Sequence, residues 1–442
     1  MKHDIDELET LTYEQSYNGI DRALLIQQLK YVAENSLFYL EKYEEHRLEK
    51  NDIIDVNNFE LVPFTYKEEL LREQEKYPPF GRLATKDNQH HLRRVHMTSG
   101  STGRPLYVVL TENDLFATVE AGRRAFLCAG LNDEDTVIHC LNYCLWAGGL
   151  TDHLSLEATG ATVIPYGVGN TKQLLRTIIN LRPTAISCTP SYLTRLEYIL
   201  REEFQLSPAA LGLEKAFLGG EGGLQNPLVR SRIEETWKMK AIDANYGMAD
   251  VLSIFGAECE ARTGLHFHGQ GILYLELIDP SSNKNLPVVD GVVAEMVLTN
   301  LRREAQPLVR YRTRDLIQIV STSQCTCGRK SFRFLVMGRT DDMITVRGIN
   351  VYPNAIANIL VKHPEWFSGE YELIVDTPPP IEMPLLRVEL SASIESINNE
   401  SLSYYLIKKC HENLNFRPRI EFMAHGHFPR TEGKTKRLRK IY

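Results

Sequence analysis

The chain has 442 residues, enough for two or more domains, and its 43% hydrophobic and 24% charged residues are an ordinary globular balance. A net charge of -7 argues against a nucleic-acid binder, and no apolar stretch is long enough to span a bilayer. The acidic start, Met1-Lys-His-Asp-Ile-Asp-Glu, lacks the apolar segment of a secretory leader, so a cytoplasmic location is expected, with no membrane partner. The eight cysteines then read as thiols or metal ligands rather than a disulfide framework.

Taken in chain order, residues 24–43 carry helical periodicity. A short strand is expected at 106–110. It is followed by a helix to Leu127 whose start, Thr111-Glu-Asn-Asp114, has capping-box spacing. Short apolar runs at 136–141, 161–166, 184–190 and 215–221 alternate with amphipathic helices at 171–181 and 191–204. Strand–helix alternation of this kind predicts an α/β fold with a largely parallel sheet. After Gly256 the runs at 272–278, 292–298 and 316–320 predict a β-rich subdomain. From Asp341 a small α+β unit is expected. It has strands at 343–346, 371–376 and 386–391 and helices at 353–362 and 401–413.

Between the first basic run, 90–96, and the strand at 106 lies Thr98-Ser-Gly-Ser-Thr-Gly-Arg-Pro105. Glycines allow a tight turn that aims successive N–H groups inward, and the hydroxyls and Arg104 add donors and charge, which suits a polyphosphate. The spacing is not that of a Walker A loop, and a solvated turn fits the same residues.

Five further segments follow in order. They are Gly219-Gly-Glu-Gly222, Asn245-Tyr-Gly-Met-Ala-Asp250, Val309-Arg-Tyr-Arg-Thr-Arg-Asp-Leu316, Gly338-Arg-Thr-Asp-Asp-Met-Ile-Thr-Val-Arg-Gly-Ile-Asn-Val-Tyr-Pro353 and Pro429-Arg-Thr-Glu-Gly-Lys434. With the loop at 98–105, this series resembles the adenylate-forming superfamily, and specifically its phenylacetate-CoA ligase branch, over nearly the whole chain. The resemblance implies a large N-terminal domain, 1–339, with parallel α/β sheets and a β-rich subdomain, and a small mobile C-terminal domain, 340–442.

The resemblance also implies an activity. ATP and Mg²⁺ would convert a carboxylic acid, an aryl acid such as a phenylacetate-like one, into its acyl-adenylate. The acyl group would then pass to the thiol of coenzyme A. A carrier-protein pantetheine or an amine is the alternative acceptor, and a non-catalytic, zinc-stabilised nucleotide-binding protein is the reading from another class. Related ligases suggest a homodimer.

Roles carry over residue by residue. Thr98, Ser99, Gly100, Ser101, Thr102, Gly103 and Arg104 would hold the β- and γ-phosphates. Glu221, Tyr246, Gly247 and Met248 would line the nucleotide site. Asp315 would accept from the ribose hydroxyls, with Arg339 near the ribose or α-phosphate. Lys434 would bridge carboxylate and phosphate oxygens in the adenylation step. Asp250 stands where the family more often has a Mg²⁺-binding glutamate, and Arg104 where it often has lysine. Asp341 would be the hinge of domain alternation, bringing Arg347 and Gly348 to the pantetheine channel. Tyr143, Trp146, Gly148, Gly220 and Ala249 would line the acid pocket.

Each residue has a plainer reading. Tyr246 could be a core aromatic, Asp250 a helix N-cap, Asp315 one rung of an Arg/Asp ladder with Arg310, Arg312 and Arg314, and Asp341 part of a charged turn. Tyr143 and Trp146 could be ordinary core packing.

Cys325-Thr-Cys327 is a tight thiol pair, and Cys259 and His266 flank a turn at Gly264. By resemblance Cys259, His266, Cys325 and Cys327 would form a Cys₃His structural zinc site, with His268 a competing ligand. Cys128, Cys140, Cys144 and Cys188 lie in apolar runs and are expected to be buried.

Overall fold

In a computed structural model, residues 5–83, 91–98, 105–342, 344–347, 349–378, 381–392, 399–428 and 437–441 are described. The chain divides into two compact units. The first comprises Met1–Cys188, Ala209–Gly220 and Met239–Val336; the second comprises Thr189–Pro208, Glu221–Lys238 and Met337–Tyr442.

The first unit is organised by a mixed sheet of 12 strands among the described residues. Its parallel half runs in spatial order Lys240–Met248, Lys215–Gly219, Ala185–Cys188, Thr136–His139, Thr162–Pro165. These strands are short and rich in Val, Ile, Ala and Phe, as strands in a parallel sheet between helices require. Three of the intervening helices occur where periodicity placed them. Glu112–Cys128 begins at a complete Thr111/Asp114 capping box. Thr171–Leu181 buries Leu174, Leu175 and Ile178 on one face. Pro190–Ile199, in the second unit, is shorter than expected and closes in a π-turn, Leu200–Phe204.

The antiparallel half continues the same sheet through Leu252–Glu258, Leu265–Phe267, Arg333–Arg339, Tyr311–Ser321, Val293–Asn300, Leu273–Ile278 and the edge strand Asn285–Leu286. The β-rich region is therefore an extension of the parallel sheet. The joint is the hairpin between Lys240–Met248 and Leu252–Glu258, in which Tyr246 pairs with Gly256 and Met248 with Leu252. The expected helix at 24–43 is two helices, Arg22–Asn35 and Leu37–Glu45. Ser36 leaves helical geometry (φ -105°, ψ 108°) and its hydroxyl caps the second.

The second unit carries a four-stranded sheet, ordered Arg419–Met423, Leu385–Leu390, Phe367–Val375, Leu438–Lys440. Helix Asn399–Leu414 contributes Leu402, Leu406 and Cys410 to its core. The helix expected at 353–362 is a 3₁₀ turn, Pro353–Ile356, followed by one α-turn, Ala357–Leu360.

Candidate active site and a thiol–imidazole cluster

Ser99, Gly100, Ser101, Thr102, Gly103 and Arg104 lie outside the described residues, as do Gly348 and Lys434. Thr98 is described and buried at the base of the loop. Its N–H donates to the Leu106 carbonyl (2.9 Å), and its hydroxyl accepts from the Leu106 N–H (3.1 Å). The two ends of the 99–105 segment are thereby bridged.

The motifs at 245–250 and 309–316 are locked together by two reciprocal hydrogen bonds. The Tyr246 hydroxyl donates to Asp315 Oδ2 (2.9 Å), and the Tyr311 hydroxyl donates to Asp250 Oδ2 (2.6 Å). Each motif gives one phenol and receives one, so neither aspartate can shift without disturbing the other motif. The Tyr246 ring meets Phe255 and Phe334 edge-on at 5.1 and 5.3 Å. It is half-buried, not sealed into the core. Gly247 permits this approach of strands: a Cβ there would stand 1.9 Å from the Ser253 carbonyl oxygen.

Arg310 forms a two-pronged pair with Glu276, Arg312 with Glu295, and Arg314 bonds Glu68. Asp250 is not a helix N-cap. It occupies the hairpin turn between two strands, buried, with Lys67 Nζ 3.5 Å from Oδ2. Lys67 was not visible as a site residue in the sequence, since it stands almost two hundred positions away.

In the second unit Glu221 accepts from the Ser191 hydroxyl (2.9 Å) and N–H (3.3 Å) at the start of helix Pro190–Ile199, and burial raises its pKa. Arg339 and Asp341 form a two-pronged ion pair at 2.8 and 3.0 Å, so the proposed ribose cation and hinge carboxylate neutralise one another. Arg347 is exposed in a left-handed turn (φ 50°).

The acid-pocket segment is unusually constrained. Leu145 adopts φ 64°, a costly left-handed conformation for leucine, and is largely exposed. Its carbonyl accepts from the Met97 N–H (2.8 Å) and lies 3.2 Å from His96 Nδ1, while His96 Nε2 meets the Thr151 hydroxyl at 2.6 Å. Burial lowers the His96 pKa to about 4. A neutral ring donating from Nδ1 and accepting at Nε2 suits both contacts. The strand that leads into Thr98 therefore also holds the 143–149 loop. The Tyr143 hydroxyl contacts His153 Nδ1 (3.0 Å), and Trp146 is half-buried at the entry to helix Ala147–Glu157. Cys144 is exposed in this loop, contrary to the expected burial, because residues 142–146 leave the strand and turn before the helix; Cys128, Cys140 and Cys188 are buried.

Sequence reasoning missed Asp152, fully buried one helical turn beyond Gly148. It accepts from Asn245 Nδ2 (2.6 Å) and from the Ser253 hydroxyl. The i+4 offset from Gly148 was the available signal, but nothing local marks a helical aspartate as buried.

Cys259, His266, Cys325 and Cys327 converge, with all four ligand atoms within 4.8 Å of one another. Cys259 and Cys325 sulfurs are 3.6 Å apart, as are Cys327 Sγ and His266 Nε2. A tetrahedral ion with Zn–S bonds of about 2.3 Å sets sulfur–sulfur edges of about 3.8 Å, so the set fits zinc. His266 sits on strand Leu265–Phe267, with Nδ1 3.1 Å from the Ser331 hydroxyl, which orients Nε2 toward the sulfurs. The Cys327 thiol is held low, chiefly by its hydrogen bond with Cys259 and then by His266, while Cys259 is pushed high. His268 is not in the cluster. It bonds buried Glu9 at 2.9 Å, and Arg329 donates to the same carboxylate at 2.7 Å. Burial raises the Glu9 pKa, but these two partners outweigh it and hold the value at about 2.

This architecture defines an adenylate-forming enzyme: the AMP-binding enzyme family matches residues 23–299 and its C-terminal domain matches 348–440, and the chain belongs to that family. Within it the chain is a member of the phenylacetate-CoA ligase-like branch. It is 33% identical to the phenylacetate-coenzyme A ligase of Thermus thermophilus over 98% of both chains. It is 29% identical to that of Escherichia coli K12 over 98% of this chain and 97% of the relative. Among solved structures, 2-hydroxyisobutyryl-CoA ligase bound to 2-HIB-AMP superposes with a TM-score of 0.87. The two are 29% identical, and the match covers 98% of this chain and 90% of that one. No helix among the described residues is long and apolar enough to cross a membrane.

Proposed function

We propose that this chain is an ATP-dependent acid–CoA ligase acting on an aryl acid of the phenylacetate type. The observation that carries the reading is the reciprocal pairing of Tyr246 with Asp315 and Tyr311 with Asp250. It holds a phenol wall and an acceptor carboxylate in fixed relation, ready for a nucleoside.

In the first half-reaction a substrate carboxylate oxygen attacks the α-phosphorus of ATP, the bond to the β-phosphate breaks and pyrophosphate leaves. Both reactants are anionic, so charge neutralisation and alignment lower the barrier. Residues 98–104 hold the leaving phosphates, Asp315 fixes the ribose, and Lys434 bridges the reacting oxygens. In the second, the thiol sulfur of coenzyme A attacks the acyl carbon, the bond to AMP breaks and the thiol proton leaves to solvent. Between them the C-terminal domain, 340–442, turns about Asp341, exchanging Lys434 for the segment at Arg347 and Gly348.

Asp250 would hold Mg²⁺, which takes most of its ligands from phosphate and water and offsets phosphate charge. Lys67 at Oδ2 adds a fixed positive charge to the same carboxylate. Cys259, His266, Cys325 and Cys327 would hold a structural zinc, closed to substrate by four protein ligands.

The test is product analysis with ATP, Mg²⁺ and phenylacetate, with and without coenzyme A. CoA-dependent AMP release with a mass-verified acyl thioester is expected. Adenylate formation with no turnover on coenzyme A would contradict the acceptor assignment.

A further inference from the structure

Gly148, one of the residues assigned to the acid pocket, and Asn245, which precedes Tyr246, both lie against one buried carboxyl group. Asp152 lies directly beneath Gly148, whose missing Cβ would stand 3.5 Å from Asp152 Oδ2. Asp152 Oδ2 accepts from Asn245, the residue before Tyr246, and a Cβ on Gly219 would stand 2.3 Å from the Asn245 Cβ. Asp152 Oδ1 accepts from the Ser253 hydroxyl across the hairpin. Asp152 is fully buried, whereas Gly148, Asn245 and Ser253 are only partly buried. The buried carboxyl thus holds two polar side chains that are themselves partly exposed.

Hydrogen-bond polarity then fixes what that surface offers. An ionised carboxylate only accepts. It therefore takes the Asn245 NH₂ and the Ser253 O–H, which leaves Asn245 Oδ1 and the Ser253 oxygen lone pairs for the other side. Both are acceptors. A plain hydrocarbon ring placed there would leave them unpaired on desolvation, which is costly, while a ligand N–H or O–H would satisfy them.

We propose that the acid this ligase activates carries a hydrogen-bond-donating substituent, an amino or hydroxyl group, received by Asn245 and Ser253 in a frame set by Asp152. The inference rests on the proposed placement of the acid pocket. Asp152 acts as a positioning residue: it orients the two acceptors and does not touch the reacting atoms. Burial lifts its pKa to about 7, so assays at pH 8 examine the ionised frame.

The experiment is acid-dependent ATP–pyrophosphate exchange at pH 8. The acids are phenylacetate, its ring-hydroxylated and ring-aminated forms, and its 2-hydroxy and 2-amino forms. These arms separate hydroxyl from amino and ring from side chain. In the wild type, kcat/KM for the best donor-bearing acid should exceed that for phenylacetate by about tenfold or more. Ser253→Ala and Asn245→Leu should narrow that ratio to within about threefold. Asp152→Ala should do the same if it folds, and the two partly buried sites supply the answer if it does not. A ratio between acids is insensitive to general loss of active enzyme. Phenylacetate equalling or exceeding every substituted acid, or a ratio that persists in both Ser253→Ala and Asn245→Leu, overturns the proposal. Absence of exchange with every acid overturns the ligase reading itself.

Discussion

The nucleotide motifs and the thiol–imidazole cluster are built from the same stretch of antiparallel sheet, yet they treat polar groups in opposite ways. At 245–250 and 309–316, two tyrosines hold two aspartates by single hydrogen bonds, and the Tyr246 wall is left half-exposed. At 259–266 and 325–327, four ligand atoms face one another, three of the residues are buried, and the surroundings, Ser331 and Arg329, are directed inward. The first arrangement suits a ligand that must enter and leave. The second suits an ion that stays. Damage to the second should therefore appear as lost stability, and damage to the first as lost turnover in a folded protein.

The largest effect is expected at the cluster. Elemental analysis should find about one zinc per chain in the wild type and none in Cys325→Ser with Cys327→Ser, and the double variant should destabilise the first unit by more than about 3 kcal/mol. A drop of several degrees or more in the melting temperature follows. A double variant that melts like the wild type would remove the structural role.

Asp315→Ala comes next. With Asp315 as the proposed ribose acceptor, its loss should lower kcat/KM for ATP about 100-fold with little change in melting temperature. Equal loss of stability and activity would place Asp315 with the core instead.

The buried Asp152 gives a pH test. Its folded pKa, about 7, lies above the ordinary aspartate value of about 3.9, so on raising the pH the unfolded chain loses this proton first. Between pH of about 4 and 7 the folded state binds more protons at this site. Its contribution to stability therefore falls with rising pH, by up to about 1.4 kcal/mol per pH unit. Urea unfolding of Asp152→Asn should show the variant gaining on the wild type from pH 5 to pH 8. A constant difference would mean the carboxyl titrates normally.

The smallest effect is Tyr246→Phe. The ring packing on Phe255 and Phe334 is kept while the hydroxyl's bond to Asp315 and its contact with Met296 Sδ (3.9 Å) are removed, so KM for ATP should rise about tenfold at most, with kcat less affected. An unchanged KM would mean that Asp315 needs no support from this phenol.

Much of this was legible from sequence because it is local. The Thr111 capping box, the 171–181 periodicity and the parallel strand runs depend on residues within a few positions of each other. The four cluster residues were also named in advance, but only through resemblance. Cys259 and Cys325 are 66 positions apart, and no spacing rule joins them. The merger of the β-rich region into one sheet was not legible, because which edge a strand joins depends on partners far along the chain. Asp152, Lys67 and Glu9 were missed for the same reason. Each is an ordinary charged residue on a helix, and its contact with Asn245, Asp250 or Arg329 arises only on folding. Ser36 shows the converse: a single capping residue divided a run whose apolar periodicity looked continuous.

The most direct test of the central claim is ATP–pyrophosphate exchange by the wild type and Lys434→Ala, with ATP affinity and melting temperature measured on both. Acid-dependent exchange is expected in the wild type and should vanish in the variant while ATP binding and stability stay close to wild type. Exchange of undiminished rate in Lys434→Ala, or none in the wild type with any acid, would contradict the claim.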